Sequence, residues 1–229
     1  MTPEAFLSLL QFTDGLFPAG AYAHSFGLEC YVQDGVVRDA AGVEAFLRAM
    51  LEGSCGPTDA VVALWAWRAG RSDDLQTCLR IDQTFDAMKP ATELRDASRQ
   101  MGKQVLRIAS SLAEARLVAG LFRATESGVT PGHHPLSFGV VGSALGWPPE
   151  ETAGAYLYST CAAVVAAALR LMPLGQLTGQ RILASVRPLC GKLAKEAPVT
   201  SPEDIWSFAP ALEIAAMRHA TLEARLFRS

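Results

Sequence analysis

The sequence lacks most of the patterns that carry chemistry. It has only four histidines, His24, His133, His134 and His219, and none stands in an H-E-x-x-H or Cys/His spacing that would hold zinc. There is no G-x-S-x-G elbow to present a nucleophile. There is no Gly-Lys-Ser/Thr to grip phosphate. The stretch Met172-Pro-Leu-Gly-Gln-Leu-Thr-Gly-Gln-Arg181 has the glycines without the lysine, and reads as a tight turn between helices. The five cysteines, Cys30, Cys55, Cys78, Cys161 and Cys190, are odd in number and contain no C-x-x-C pair. That argues against a disulfide framework and for free thiols in a reducing cytoplasm. Excess positive charge is missing too: the formal net charge is −3, which gives no reason to expect a nucleic-acid partner. Met1-Thr-Pro-Glu4 lacks the basic start of a signal peptide. No run alternates with period two, so no sheet is expected. No repeat, low-complexity tract or linker divides the chain, and residues 1–229 read as one domain.

What is present is apolar. Half of the 229 residues are hydrophobic and 19% are charged, enough for a sizeable core. The stretch from Ala155 to Leu169 carries no charge at all. Pro148, Pro149, Glu150 and Glu151 suit the start of a helix, and Pro173 and Gly175 stop it. At about 1.5 Å per residue this run spans roughly 22 Å, short of the ~30 Å hydrocarbon core of a membrane. No second long apolar span accompanies it. It reads as the buried central helix of an all-α bundle, with Ala162, Ala163, Ala166 and Ala167 forming a smooth face for neighbouring helices, and no membrane association is expected.

The remaining chain divides at its prolines and glycines. Helices are expected over Glu4 to Phe12, Ser25 to Val32, Asp39 to Glu52, Thr58 to Ala69 and Asp73 to Met88. Gly53 to Pro57 reads as a break. From Thr92 a strongly amphipathic helix runs to Leu112, and nothing in the sequence stops it before Arg123. A loop carries His133-His134, and a short helix covers Phe138 to Leu145. A helix kinked at Pro188 is expected from Gln176 towards Lys195. Ser201-Pro202-Glu203-Asp204 signals a helix start, and Pro210 a second one.

Three features could bear function. Asp82 and Asp86 share one helical face and could hold Mg²⁺ in a helical enzyme, although a solvated acidic face is the plainer reading. His133-His134 is read as solvated or locally hydrogen-bonded rather than as a metal site. Arg95, Arg99, Lys103 and Arg107 recur at i, i+4, either as a solvated ridge or as a docking face for an acidic partner. No set of residues makes an active site.

Five segments, in order along nearly the whole chain, resemble the UreF family of urease accessory proteins. The first is Asp14-Gly-Leu-Phe-Pro-Ala-Gly-Ala-Tyr-Ala-His-Ser-Phe-Gly-Leu-Glu29. The second is Ala91-Thr-Glu-Leu-Arg-Asp-Ala-Ser-Arg-Gln-Met-Gly102. The third is His134-Pro-Leu-Ser-Phe-Gly139. The fourth is Tyr156-Leu-Tyr-Ser159 with the alanine-rich helix, Arg170-Leu-Met-Pro-Leu-Gly-Gln176 and Gly179-Gln-Arg181. The fifth is Leu212-Glu-Ile-Ala-Ala-Met-Arg-His219 with Arg225-Leu-Phe-Arg-Ser229. Gly15 stands where the family usually has Ser, Ala19 where it has Ile, Thr92 where Arg often leads, and Glu213 where it has Asp.

The resemblance implies an all-α homodimer with no catalytic activity that offers a route for nickel and so binds nickel cation; the residues themselves suggest no resident cofactor and no metal site. It implies a cytoplasmic maturation chaperone that bridges UreD (UreH), bound to apo-urease, to the nickel-carrying GTPase UreG, assists nickel insertion and regulates that GTPase. The matching positions expected to meet partners are Tyr22, His24, Ser25 and Glu29 with Arg225, Leu226 and Phe227; Arg95 and Arg99 join them from the basic ridge. The tail, residues 218–229, is expected to be mobile in the free protein and to order on UreD.

Overall fold

The computed structural model describes residues 1–229, apart from the side chain of Val199. Its organising element is helix α9, Pro149–Leu171, opened by a proline at its first turn and by Glu150 and Glu151, and closed as Met172 turns extended. It packs against α10 (Gln176–Glu196) and, more lightly, against α4 (Val61–Arg71), α8 (His134–Ala144) and α1 (Pro3–Thr13). Cys161, Val164, Val165, Ala167 and Ala168 are buried there. The chain is all-α, with no strand among the described residues. By length and composition α9 could cross a membrane, but half of its most apolar window is covered by the rest of the fold.

The alanine face is a correction to the sequence reading. Only Ala167 is buried; Ala162, Ala163 and Ala166 are partly open and line a cavity instead of seating a helix.

Gly53 to Pro57 does not break the chain. A ten-residue π-helical run, Leu51–Ala60, joins α3 (Ala40–Met50) directly to α4. The wider turn tolerates Pro57, which has no N–H to give. Gly53 is needed because the backbone of Phe208 lies against it, donating its N–H to the Gly53 carbonyl at 2.8 Å. α6 (Thr92–Leu112) has the expected span, and only its continuation to Arg123 is absent. It ends where Ala113 adopts an extended backbone, and α7 (Arg116–Glu126) starts anew so that Leu117, Val118 and Leu121 turn inward.

α8 is buried on all sides and starts at His134, four residues before the expected Phe138. It crosses α4 and α6 closely because Gly139 and Gly102 carry no side chain. A Cβ at Gly139 would stand 2.0 Å from the Ala63 carbonyl oxygen, and one at Gly102 2.0 Å from that of Gly132. α5 (Leu75–Ala87) begins at an Asp74 cap, one residue beyond a left-handed Asp73. α10 continues through Pro188. Ser201-Pro202 opens only a single 3-10 turn, Pro202–Asp204, and the next helix, α11 (Pro210–His219), starts at the second proline signal.

Candidate functional site

The first motif brings Tyr22, His24, Ser25 and Glu29 together with the chain's last residues. A single 3-10 turn, Ala21–Ala23, leads to α2 (Leu28–Gln33) through left-handed Phe26 and Gly27. At Gly27 the positive φ of +85° favours the missing side chain. Ser25 N–H and Oγ donate to the Ser229 carbonyl at 2.5 and 3.0 Å, and Arg228 N–H donates to the Ala23 carbonyl at 2.8 Å. His24 Nδ1 lies 2.8 Å from Ser229 Oγ.

Glu29 is 2% exposed. Its carboxylate accepts the backbone N–H groups of Leu226 at 2.7 Å and Phe227 at 3.1 Å. His219, on α11, is fully buried, with Nε2 2.9 Å from Glu29 and Nδ1 2.7 Å from Glu93. Arg225 reaches the other oxygen of Glu93 at 2.8 Å. The Arg170 guanidinium sits between the rings of Tyr22 and Phe227, 4.1 and 4.2 Å from their centroids, and donates to the Tyr22 carbonyl.

These contacts involve the tail that the sequence reading expects to be mobile. Residues 218–229 are tied to α2, α6 and α9 through backbone and ionic bonds, and Phe227 is buried at 5% exposure. A short terminal segment is ordered when its backbone donors find partners, and here they do. Of the seven motif residues expected to meet partners, His24, Ser25, Glu29 and Phe227 face inward. Tyr22, Arg225 and Leu226 are exposed.

Burial lowers the pKa of His24 to about 4, helped by the Arg228 charge and opposed by Glu93, with a smaller lowering by His219. The unfolded chain takes up this proton near pH 6.5, the folded chain only near 4. Stability is therefore unaffected above pH 6.5 and falls between 6.5 and about 4. The loss from this residue is on the order of 3 kcal/mol. We expect urea unfolding of His24→Asn to lose correspondingly less stability than wild type between pH 7 and pH 4.

Asp82 and Asp86 do not form a metal pair. Asp82 is fully buried, and its oxygens accept from Thr130 Oγ1 at 2.6 Å, Gly132 N–H at 2.6 Å and His133 N–H at 3.0 Å. Asp86 binds Arg99 through Nη2 at 2.6 Å and Nε at 2.9 Å, and His133 Nε2 at 2.8 Å. Burial pushes the Asp86 carboxyl up, but the His133 and Arg99 hydrogen bonds outweigh it and hold it low. The Mg²⁺-enzyme alternative fails here because both carboxylates are committed within the chain. His133 is fully buried, its Nδ1 3.0 Å from Ser98 Oγ. His134 lies against Tyr156 and Phe138, and burial lowers its pKa to about 4. No group of three His, Cys, Asp or Glu side chains among the described residues is placed to hold a metal ion.

The basic ridge is largely spoken for. Arg99 pairs with Asp86, Lys103 with Glu126 at 2.6 Å, and Arg95 Nη1 donates to the Lys89 carbonyl. Elsewhere an apolar group lies open. Leu7 and Leu10 of α1 and Leu16 of the following loop surround a shallow groove and are 63%, 49% and 92% exposed. Hydrophobicity alone does not reveal that grouping in the sequence, because Leu16 lies outside the helix whose face it extends.

The chain is all-helical, holds Glu29, Glu93, Asp82 and Asp86 in hydrogen bonds and ion pairs of its own, and leaves Leu7, Leu10 and Leu16 open. The UreF family model matches residues 37–187. The chain is 34% identical over 226 residues to the urease accessory protein UreF of Paenarthrobacter aurescens, covering 97% of each chain. It is 35% identical over 227 residues to that of Cereibacter sphaeroides, covering 99% of each. It is 30% identical over 223 residues to that of a Bacillus species, covering 97% of this chain and 98% of the relative. The chain belongs to the UreF family of urease accessory proteins, and its role is accessory rather than catalytic.

Proposed function

We propose that the protein is a cytoplasmic maturation chaperone that bridges UreD (UreH), bound to apo-urease, to the GTPase UreG. It assists nickel insertion, regulates the GTPase and works as a homodimer. The observation that carries this reading is the groove of Leu7, Leu10 and Leu16. Large apolar side chains this open on a folded surface mark a protein–protein contact. Tyr22 and Leu226 add an aromatic and an aliphatic anchor of the kind that dominates interface centres. The five buried free thiols suit a reducing compartment.

Co-expression with apo-urease, UreD and UreG tests the reading by nickel content and urease activity. Wild type is expected to raise both, and the pair Leu7→Asp with Leu16→Asp to abolish the gain. Losing two such anchors weakens binding about thirtyfold or more. Both residues are exposed, so the melting temperature should hold. Full activation by the double variant would rule out this surface, and activation without the chain would rule out the function.

A further inference from the structure

Beneath residues 12–22 the fold leaves a cavity of about 600 Å³, within the size range of sites for small organic ligands. One wall is apolar, made by Ala162, Ala163 and Ala166 of α9 and faced by Leu212 of α11. The rest is ionic. Asp59 is 6% exposed, accepts the Tyr156 hydroxyl at 2.9 Å and stands 3.5 Å from Lys89 Nζ. Glu213 also lines the cavity. Its Oε2 is shielded from solvent and has no hydrogen-bond partner among the described residues. Leaving a carboxylate oxygen dry and unpaired is costly, and burial accordingly raises the Glu213 carboxyl. Lys89, paired with Asp59, is the one Lys or Arg in the lining, so with Glu213 ionised the cavity keeps a negative charge, and Asp14 at the exposed rim adds another. With no three metal-ligating side chains grouped among the described residues, a bare metal ion is a poor fit.

We propose that this cavity binds an aliphatic primary ammonium, its cation paired with Glu213 and its carbon stem laid along the three alanines. A free alkylamine and a lysine side chain of another protein carry the same chemistry. The test is calorimetric titration of the full chain with n-hexylamine, n-hexanol, N-acetyl-lysine methylamide and nickel chloride. Hexylamine is expected to bind about tenfold to a hundredfold more tightly than hexanol, the range a hydrogen bond to a charged group supplies. Glu213→Gln should reduce hexylamine to the level of hexanol. Ala163→Phe fills the apolar wall without touching Glu213, so it should exclude both and decides the matter should Glu213→Gln melt early. Tighter binding of the lysine derivative than of hexylamine assigns the site to a protein chain, and the reverse to a free amine. Equal binding of amine and alcohol, unchanged binding by folded Glu213→Gln, or nickel displacing the amine at equimolar concentration would each overturn the proposal.

Discussion

Asp82→Ala is expected to destabilise the protein by about 3–5 kcal/mol, the cost of removing one side of a buried charged network. The reason is local. The carboxylate is out of solvent and accepts three hydrogen bonds, from the Thr130 hydroxyl and from the Gly132 and His133 backbone N–H groups. His133 caps α8, so the charge also sits at the positive end of a helix. Alanine strands two backbone donors in a space water reaches poorly, because α8 is pressed against α4 and α6. Asp82→Asn keeps an acceptor oxygen and should lose about half as much, since hydrogen bonds to a neutral acceptor contribute roughly half those to a charged one. At this chain length the alanine variant should melt roughly 6–20 °C lower. Chemical unfolding of the two variants separates this role from a metal-binding one. A metal ligand would leave the metal-free protein as stable as wild type.

Local signals in the sequence reach the elements whose cause is local. Prolines and acids in the first turn mark α9, and the three-and-four spacing of Leu94, Ala97, Met101 and Val105 marks α6. Where a distant segment decides the outcome, they mislead. Gly-Ser-Cys-Gly-Pro57 has the composition of a loop, and it stays helical where Phe208 and Leu193 pack against its glycines. The gap at Ala113–Ala115 contains no breaker, and the inward turn of Leu117 and Val118 accompanies it. The ionic networks were legible only as residue types. Asp82 meets partners 48 to 51 positions away, and Glu29 meets His219 at a separation of 190. Periodicity carries no information over such distances. The resemblance names His24, Ser25, Glu29 and Phe227 as partner-facing, and packing turns them toward one another instead of toward solvent.

Deleting Arg225–Ser229 is expected to lower the stability of the isolated protein by roughly 5 kcal/mol, from exposure of the Phe227 site and loss of two hydrogen bonds to the Glu29 carboxylate. A mobile tail would predict no change. Phe227 stacks on Arg170, and Glu29, 2% exposed, loses both backbone donors while its charge stays in the fold. Ser25, Phe26 and His24 lose the Ser229 groups they bind. For a chain of this length the shift in melting temperature is about 10–20 °C. Leu226→Ala separates docking from folding, because Leu226 is 53% exposed while only its backbone N–H is used inside. That variant should melt within a degree or two of wild type. If the exposed side chain meets a partner, it should bind that partner less tightly. A truncated protein that melts with wild type would show that the tail adds nothing to the fold, and Glu29 would then need another partner for its charge.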